Sequence, residues 1–479
     1  MGIRHVFHYE YRKLRSEHTF WIVSALLALF LSAAFLNGYS WREFQERTIG
    51  QIERKETEQM DHYLLHMREY RDALVGFDHP GNAQGVNTGK QAYFTKKPHP
   101  NAIYLIGQSD LYPFYFRTSP LYGESLIYNH EILNPLNLLI GKIDFGFVVL
   151  YLLPLLAIAV SYDLRSVEIE LGTARLVHTY NKSGMDRLLL HKLLFRMLWF
   201  GSVLLICSLG FLLLFSRENL RGTHLAEFGM AMLSSIGYMA FWFALAFFAN
   251  SFGRSSLING IVLVSAWIVL VFMLPSMLNA WIVRTVTLPS RNQQIIEARE
   301  MNDRYTAMRD SLYRKMVGEN PGYILPTSDT VNNMVIYSWY PPVVAANIAL
   351  KRELDRTEAR FRTAIGGRDS TLARWRFASP SLVFGTQMND LSRNGRHHFS
   401  IARSDYERFR ESWSAFAFEK VFRYEAFGEE DLLAQEKFKK HSPQYKRAAF
   451  VYVLEYLYLY FLALGFVVLG VAVGRRAQL

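Results

Sequence analysis

Apolar residues in this chain of 479 gather into six nearly uncharged blocks, 20–38, 145–161, 193–215, 226–249, 257–283 and 448–474. Each falls within or near the ~17–25 residues that carry a helix across a bilayer. Hydrocarbon offers no water to backbone N–H and C=O groups, so blocks of this kind are expected to be helices. Between them lie two long segments, 39–144 and 284–447, that are as polar as a soluble domain. The overall hydrophobic share of 51% hides this division, because soluble proteins also reach it. The expected fold is an all-α polytopic membrane protein with six transmembrane helices and substantial mass outside the bilayer.

Ahead of the first block, residues 1–19 place Ile3, Val6, Phe7 and Leu14 near one helical face, with Arg12, Lys13 and Arg15 supplying charge. That spacing predicts an amphipathic helix lying along the membrane surface. Ser32-Ala33-Ala34 resembles a signal-peptide cleavage site, but the long leading region with Glu10 and Glu17 argues for a retained helix. Basic residues in short loops set orientation. Arg4, Arg12, Lys13 and Arg15, the basic residues of 162–192, Arg254 and Arg475-Arg476 all fall on one side. Both termini are therefore expected in the cytoplasm, and the two long segments outside it.

Each long segment should open as a helix continuing from the membrane. Residues 41–74 space Phe44, Ile52, Met60, Leu64, Met67 and Leu74 loosely along a stripe. Residues 297–317 repeat Met301, Tyr305, Met308, Leu312 and Met316 every three or four positions. The two are expected to pack on each other as a stalk. The Gly-, Asn- and Pro-rich stretch 76–101 reads as loop. Helical patterns at 342–365 and 403–427 complete a mainly helical extracytoplasmic domain built from two insertions.

Chemistry is sparse. The net charge of +11 invites a nucleic-acid partner, but the basic residues alternate with acidic ones and no base-reading motif is present, so none is expected. The single cysteine, Cys207, excludes intramolecular disulfides. The spanning blocks are nearly bare of ionisable groups, with Glu455 standing out as a pathway residue, a partner for an outer-domain arginine, or an interfacial carboxylate among Tyr452, Tyr456 and Tyr458. The adjacent His397 and His398 point in different directions and lack companions at ligand spacing, so no metal site is expected. Ser202, Ser208 and Ser265 lie in membrane blocks without a basic companion, which speaks against intramembrane hydrolysis. No G-x-x-x-x-G-K-[ST] phosphate loop is present. The chain is not expected to be an enzyme or to hold a cofactor.

The loop 162–192 is charged and patterned: Asp163, Arg165, Glu168, Glu170, Gly172, Thr173 and Arg175, then Lys182, Arg187 and Lys192. Glu168 and Glu170 are two apart and do not share a helical face. Gly172-Thr173 allows a break, with Thr173 placed to cap a following helix. A helix, a bend and a second short helix along the membrane surface are expected. This stretch resembles the cytoplasmic loop of permease subunits of type-2 ABC exporters, in an E-x-E-x-G-T core (Glu168, Glu170, Gly172, Thr173), a small-residue and basic turn (Ser183-Gly184, Arg187) and a lysine opening the next helix (Lys192). The chain departs from the pattern at Ile169, where a basic residue is frequent, and in lacking a proline before the turn.

The resemblance implies a coupling helix that docks on a separate ATPase subunit, which supplies ATP and Mg, and a second permease copy or paralogue completing a dimer. It places the chain in a bacterial inner membrane, in a subgroup with enlarged extracytoplasmic insertions. Glu168, Glu170 and Arg175 are then expected to contact the partner or to hold the loop through local ion pairs. The enlarged insertions also motivate a different reading, a membrane-anchored receptor or assembly factor whose outer domain binds a protein.

Overall fold

The structure, a computed structural model, describes residues 3–69 except 17, 75–85 except 80, 92–121 except 108 and 111, 142–172, 185–326 except 289, 328, 330–331, 334–439 and 449–476. Among these it is mostly helical, with two short antiparallel hairpins. Five helices are long and apolar enough to cross a membrane: α2 (His18–Glu69), α5 (Met185–Phe215), α6 (Thr223–Ser251), α7 (Ser256–Thr285) and α14 (Ala449–Arg476, through its stretch Val453–Arg475). A sixth apolar helix, α3 (Phe145–Ala159), is about 22 Å long at 1.5 Å per residue, shorter than a ~30 Å hydrocarbon core.

α6 is the hub of the bundle. Its apolar window is 78% buried, against 17% for α7 and 22% for α14, whose other faces carry exposed Leu, Ile, Val and Phe. The amino-terminal α1 (Ile3–Ser16) lies against the start of α5, with Val6 packed on Met185 and Leu188 and Phe7 edge-on to Phe195. Two of the four residues placed on its apolar face, Val6 and Phe7, thus pack on α5; the side chains of Ile3 and Leu14 lie outside the described residues.

Two helices are broken at proline. In α3, the bulge Val148–Leu152 precedes Pro154, and the N–H that an α-helix would offer to the Leu150 carbonyl is the one proline lacks. Tyr238 of α6 supplies its hydroxyl instead. In α7, the bulge Ile268–Met273 turns the Leu274 N–H to Val269, and residue 275 is proline. The Leu270 carbonyl accepts from Ser379 Oγ at 2.7 Å and Ser381 Oγ at 3.0 Å. The bulges are neighbours, since Tyr151 and Phe272 stack at 5.5 Å.

The serines belong to α11 (Pro380–Ser392), capped by Ser379 and part of the second insertion. This helix enters the membrane bundle: Val383, Phe384, Met388 and Leu391 join the core formed by the spanning helices. Phe384 stacks on Tyr238 at 5.1 Å, and Gln387 bonds to Ser234. Tyr238 lies about 22 Å along α6 from Thr223, so α11 reaches deep between the helices. The sequence assigned it to the outer domain.

The rest of the insertions forms a separate lobe. Its core joins Phe94 and Phe116 of the hairpin β1 (Ala92–Thr95) and β2 (Tyr115–Thr118) with Tyr340 and Val344 of α10 (Tyr340–Trp375), with Tyr406, Phe409, Trp413 and Val421 of α12 (Arg396–Arg423) and with Leu432 of α13 (Glu429–Phe438). β1 falls inside the stretch expected to be loop, and the alternating burial of Ala92 and Phe94 explains why it forms a strand. α2 runs unbroken for 52 residues from the bundle into the lobe. The second insertion differs: α7 ends at Thr285, and α8 (Arg291–Ala307) starts anew on a Ser290 cap, followed by α9 (Arg309–Glu319). α8 and α9 lie along α10 rather than pairing with α2 as a stalk, although Met60 and Met316 meet the same core.

Candidate functional site

The chain segment between α3 and α5 is a tight knot of polar contacts. A turn at 160–165 leads into α4 (Ser166–Glu170), which opens with the Val167 N–H on the Asp163 carbonyl at 2.9 Å. Arg165 is buried, donating to the Ser251 carbonyl at 2.8 Å and lying 3.6 Å from Asp186. Glu168 pairs with buried Lys192 at 2.9 Å. Glu170 accepts from the Ser256 N–H at 2.9 Å and the Ser256 hydroxyl at 3.1 Å, which caps α7. The two glutamates thus reach in different directions, as their spacing requires, and fasten α4 to α5 and α7. Gly172 ends the segment at φ +71°, a left-handed conformation that favours glycine. Arg187 is exposed on α5. Thr173, Arg175, Lys182, Ser183 and Gly184 lie outside the described residues, as does the expected second short helix.

Two further charges complete the knot. Glu10 of α1 is fully buried, 3.3 Å from Arg196 and 3.9 Å from Lys192, and Arg196 also reaches the Val160 carbonyl. Glu10, Glu168 and Asp186 therefore face Arg165, Lys192 and Arg196. Buried charges persist only when paired and hydrogen-bonded in this way. Outward the segment presents two apolar side chains, Ile169 at 44% and Leu171 at 71% exposure, with the exposed Glu170 between them.

At the opposite, insertion end of the bundle, His99 caps a turn at Pro100–Ile103, which packs directly on α2 because Gly38 has no Cβ to strike the Ile103 carbonyl. His224 and Glu227, at the start of α6, meet it there: His224 Nδ1 is 3.0 Å from Glu227 Oε2, and the His99 and His224 rings are 5.2 Å apart. Asn101 donates to Glu227 at 2.6 Å, and Arg393, just past α11, lies 3.4 Å from it. Burial, reinforced by the Arg393 charge, pushes the His99 imidazole down to about 4. Close by, Asp144 caps α3 through the Phe147 N–H and accepts from Ile106 and Gly107. Burial pushes its carboxyl up to about 6 against the pull of those three donors. Glu455 is fully buried and pairs with Arg376 at 2.7 Å, so of the roles open to it the arginine pair is the one found. In the lobe, a cavity of about 510 Å³ has an apolar floor including Ile348, Tyr406 and Phe418 and a charged rim including Lys351, Glu358 and Arg410.

For this six-block membrane chain, with its charged, internally braced segment after the second block, the family model of the ABC-2 family transporter protein matches residues 4–470. The chain belongs to that family. No curated protein and no solved structure matches it. An ABC-2 family member is a membrane protein, and the family implies an ABC ATPase partner. In this ABC-2 chain the resemblance carried by Glu168, Glu170 and Gly172 lies where the polar knot is.

Sequence reasoning passed over Asp186, Arg196 and Glu227, and used Glu10 only as a charge that argues for a retained helix. Arg196 and Glu227 lie inside blocks described as nearly bare, so Glu455 is not alone there. Glu10 follows Val6 by four residues and shares its apolar face, which is a readable signal. The convergence of His99 with His224 has no local signal, because the two lie in different segments and only the fold joins them.

Proposed function

We propose that the chain is the permease subunit of an ATP-driven exporter. Six helices cross a bacterial inner membrane, both termini are cytoplasmic, and the insertion lobe stands outside. A separate ABC ATPase, carrying ATP and Mg, docks on the 162–192 segment, and a second permease copy or paralogue completes the transporter. α3, short for a span, crosses with the help of the turn at 160–165 and local thinning of the bilayer. The family match over 4–470 carries this reading.

The bracing of α4 supports the coupling role. A segment tied by ion pairs and caps to α5, α6 and α7 passes a push to all three as a unit, while Ile169 and Leu171 offer the apolar contact a partner buries. The test replaces both with aspartate and measures co-purification with the cognate ATPase and stimulation of its hydrolysis. Loss of both in a chain that still inserts is the expected result. Wild-type stimulation by the variant would remove this segment from the coupling role.

The lobe cavity favours a second reading, a membrane-anchored receptor or assembly factor that captures its partner outside. Reconstituted vesicles separate the two. ATP-dependent cargo movement belongs to the exporter, and partner capture unaffected by an inactive ATPase belongs to the receptor.

A further inference from the structure

We propose that His99, His224 and Glu227 form a binding site for one divalent cation of the zinc class at the insertion end of the helix bundle. The three residues offer ligand atoms that all lie within 4.8 Å of one another, two imidazole nitrogens and a carboxylate oxygen. Zinc takes that donor set at ~2.0–2.2 Å per bond, and two such bonds at a tetrahedral angle put their donors ~3.4 Å apart. The 3.0 Å separation of His224 Nδ1 from Glu227 Oε2 is already near that value. Residues 224 and 227 occupy one face of α6, one turn apart, so the pair is held by helix geometry and only His99 comes from elsewhere.

The surroundings are those of a ligand carboxylate. Arg393 engages Glu227 Oε1 at 3.4 Å and Asn101 engages Oε2 at 2.6 Å, and Asn219 in turn donates to Asn101 at 2.8 Å. Such outer partners fix the orientation of metal-binding side chains. Without a cation, the hydrogen bond between His224 and Glu227 closes the site. Binding displaces the proton between them, which returns through solvent to His224 Nε2 so that the ring binds as a neutral imidazole; His99 gives up the Asn101 N–H that its Nδ1 accepts at 3.3 Å, while the Arg393 contact on the other Glu227 oxygen persists. The guanidinium charge beside the carboxylate weakens the site, which favours a borderline ion that bonds well to imidazole over a hard ion that relies on charge. The side chains of His224 and Glu227 are 29% and 22% exposed, so solvent cations reach them. A bound ion would join the first insertion, α6 and, through Arg393, the end of α11.

The experiment uses the full chain in detergent, stripped with a chelator and equilibrated with Zn(II) in a metal-buffered solution, and with Co(II) as an optical probe. One Zn(II) per wild-type chain is expected, with Co(II) giving the visible bands of a low-symmetry nitrogen and oxygen site. His99→Ala and His224→Ala should lose stoichiometric binding, and Asn101→Ala should bind roughly 10- to 100-fold more weakly. The double variant His397→Ala/His398→Ala should bind as wild type does. Wild-type chain that takes up no Zn(II), or equal uptake by wild type and monodisperse His99→Ala, would overturn the proposal. Because the wild-type result alone can do so, misfolding of a variant does not protect it.

Discussion

The Tyr238 hydroxyl donates to the Leu150 carbonyl at 3.1 Å, the same carbonyl that Pro154 deprives of a helical partner. A broken helix in hydrocarbon survives when another element satisfies the freed group, and here α6 does so for α3. Tyr238→Phe leaves that carbonyl orphaned and should cost about 1–3 kcal/mol, read as a lowered midpoint of thermal unfolding in detergent. A midpoint equal to wild type would mean that water or another donor serves Leu150.

The second bulge has two donors on one acceptor, because Ser379 and Ser381 both reach the Leu270 carbonyl. Either serine alone can serve. Ser379→Ala and Ser381→Ala should each be mild, and the double variant should exceed their sum by about 0.5–3 kcal/mol. Strict additivity in that cycle would contradict a shared acceptor.

Arg376 and Glu455 tie the start of the α11 wedge to the last spanning helix. Glu455→Gln leaves a buried guanidinium uncompensated and should destabilise by about 3–5 kcal/mol. Replacing both residues with apolar ones of similar volume should recover most of that loss. If the double variant is as unstable as the single one, the pair does not act as a unit.

Glu10 is the carboxylate that faces two buried cations, Lys192 and Arg196. Glu10→Ala should therefore lower stability more than removal of an exposed charge on the same helix, such as Arg12→Ala. Protease access to the amino terminus is a direct readout, since α1 should lift from α5 only in the first variant.

Asp144 gives the chain a pH dependence with a definite sign. Its folded pKa of about 6 lies above the ordinary 3.8, so its contribution is fully present below 3.8 and is lost as pH rises through about 6. Within that window stability should fall by up to about 1.4 kcal/mol per pH unit. Asp144→Asn keeps the acceptor for the Phe147 N–H and should remove this slope. An unchanged slope would assign it to other groups.

Much of the membrane plan is readable because burial in hydrocarbon leaves a one-dimensional record. The blocks that became α5, α6, α7 and α14 need no partner to be recognised. Nor does the local bracing at Glu168 and Glu170, whose offset of two residues forces divergent contacts. α11 is different. Val383, Phe384, Met388 and Leu391 have the spacing of any half-buried helix, and nothing local says which of two cores receives them. The prolines at 154 and 275 announce breaks, but the hydroxyls that mend them come from residues 84 and more than 100 positions away. The loop reading of 76–101 missed β1 because glycine and asparagine dominate the stretch, while the strand rests on two buried residues, Ala92 and Phe94.

The unbroken course of α2 has a mechanical consequence. Beyond residue 38 the helix extends about 46 Å at 1.5 Å per residue, so tilting its membrane part by roughly 5° sweeps the far end through about 4 Å. Glu56 grips Lys439 at 2.8 Å and Arg68 grips Glu429 at 2.8 Å near that far end. Any rotation of the bundle that carries α2 with it would therefore be magnified where the helix meets the lobe.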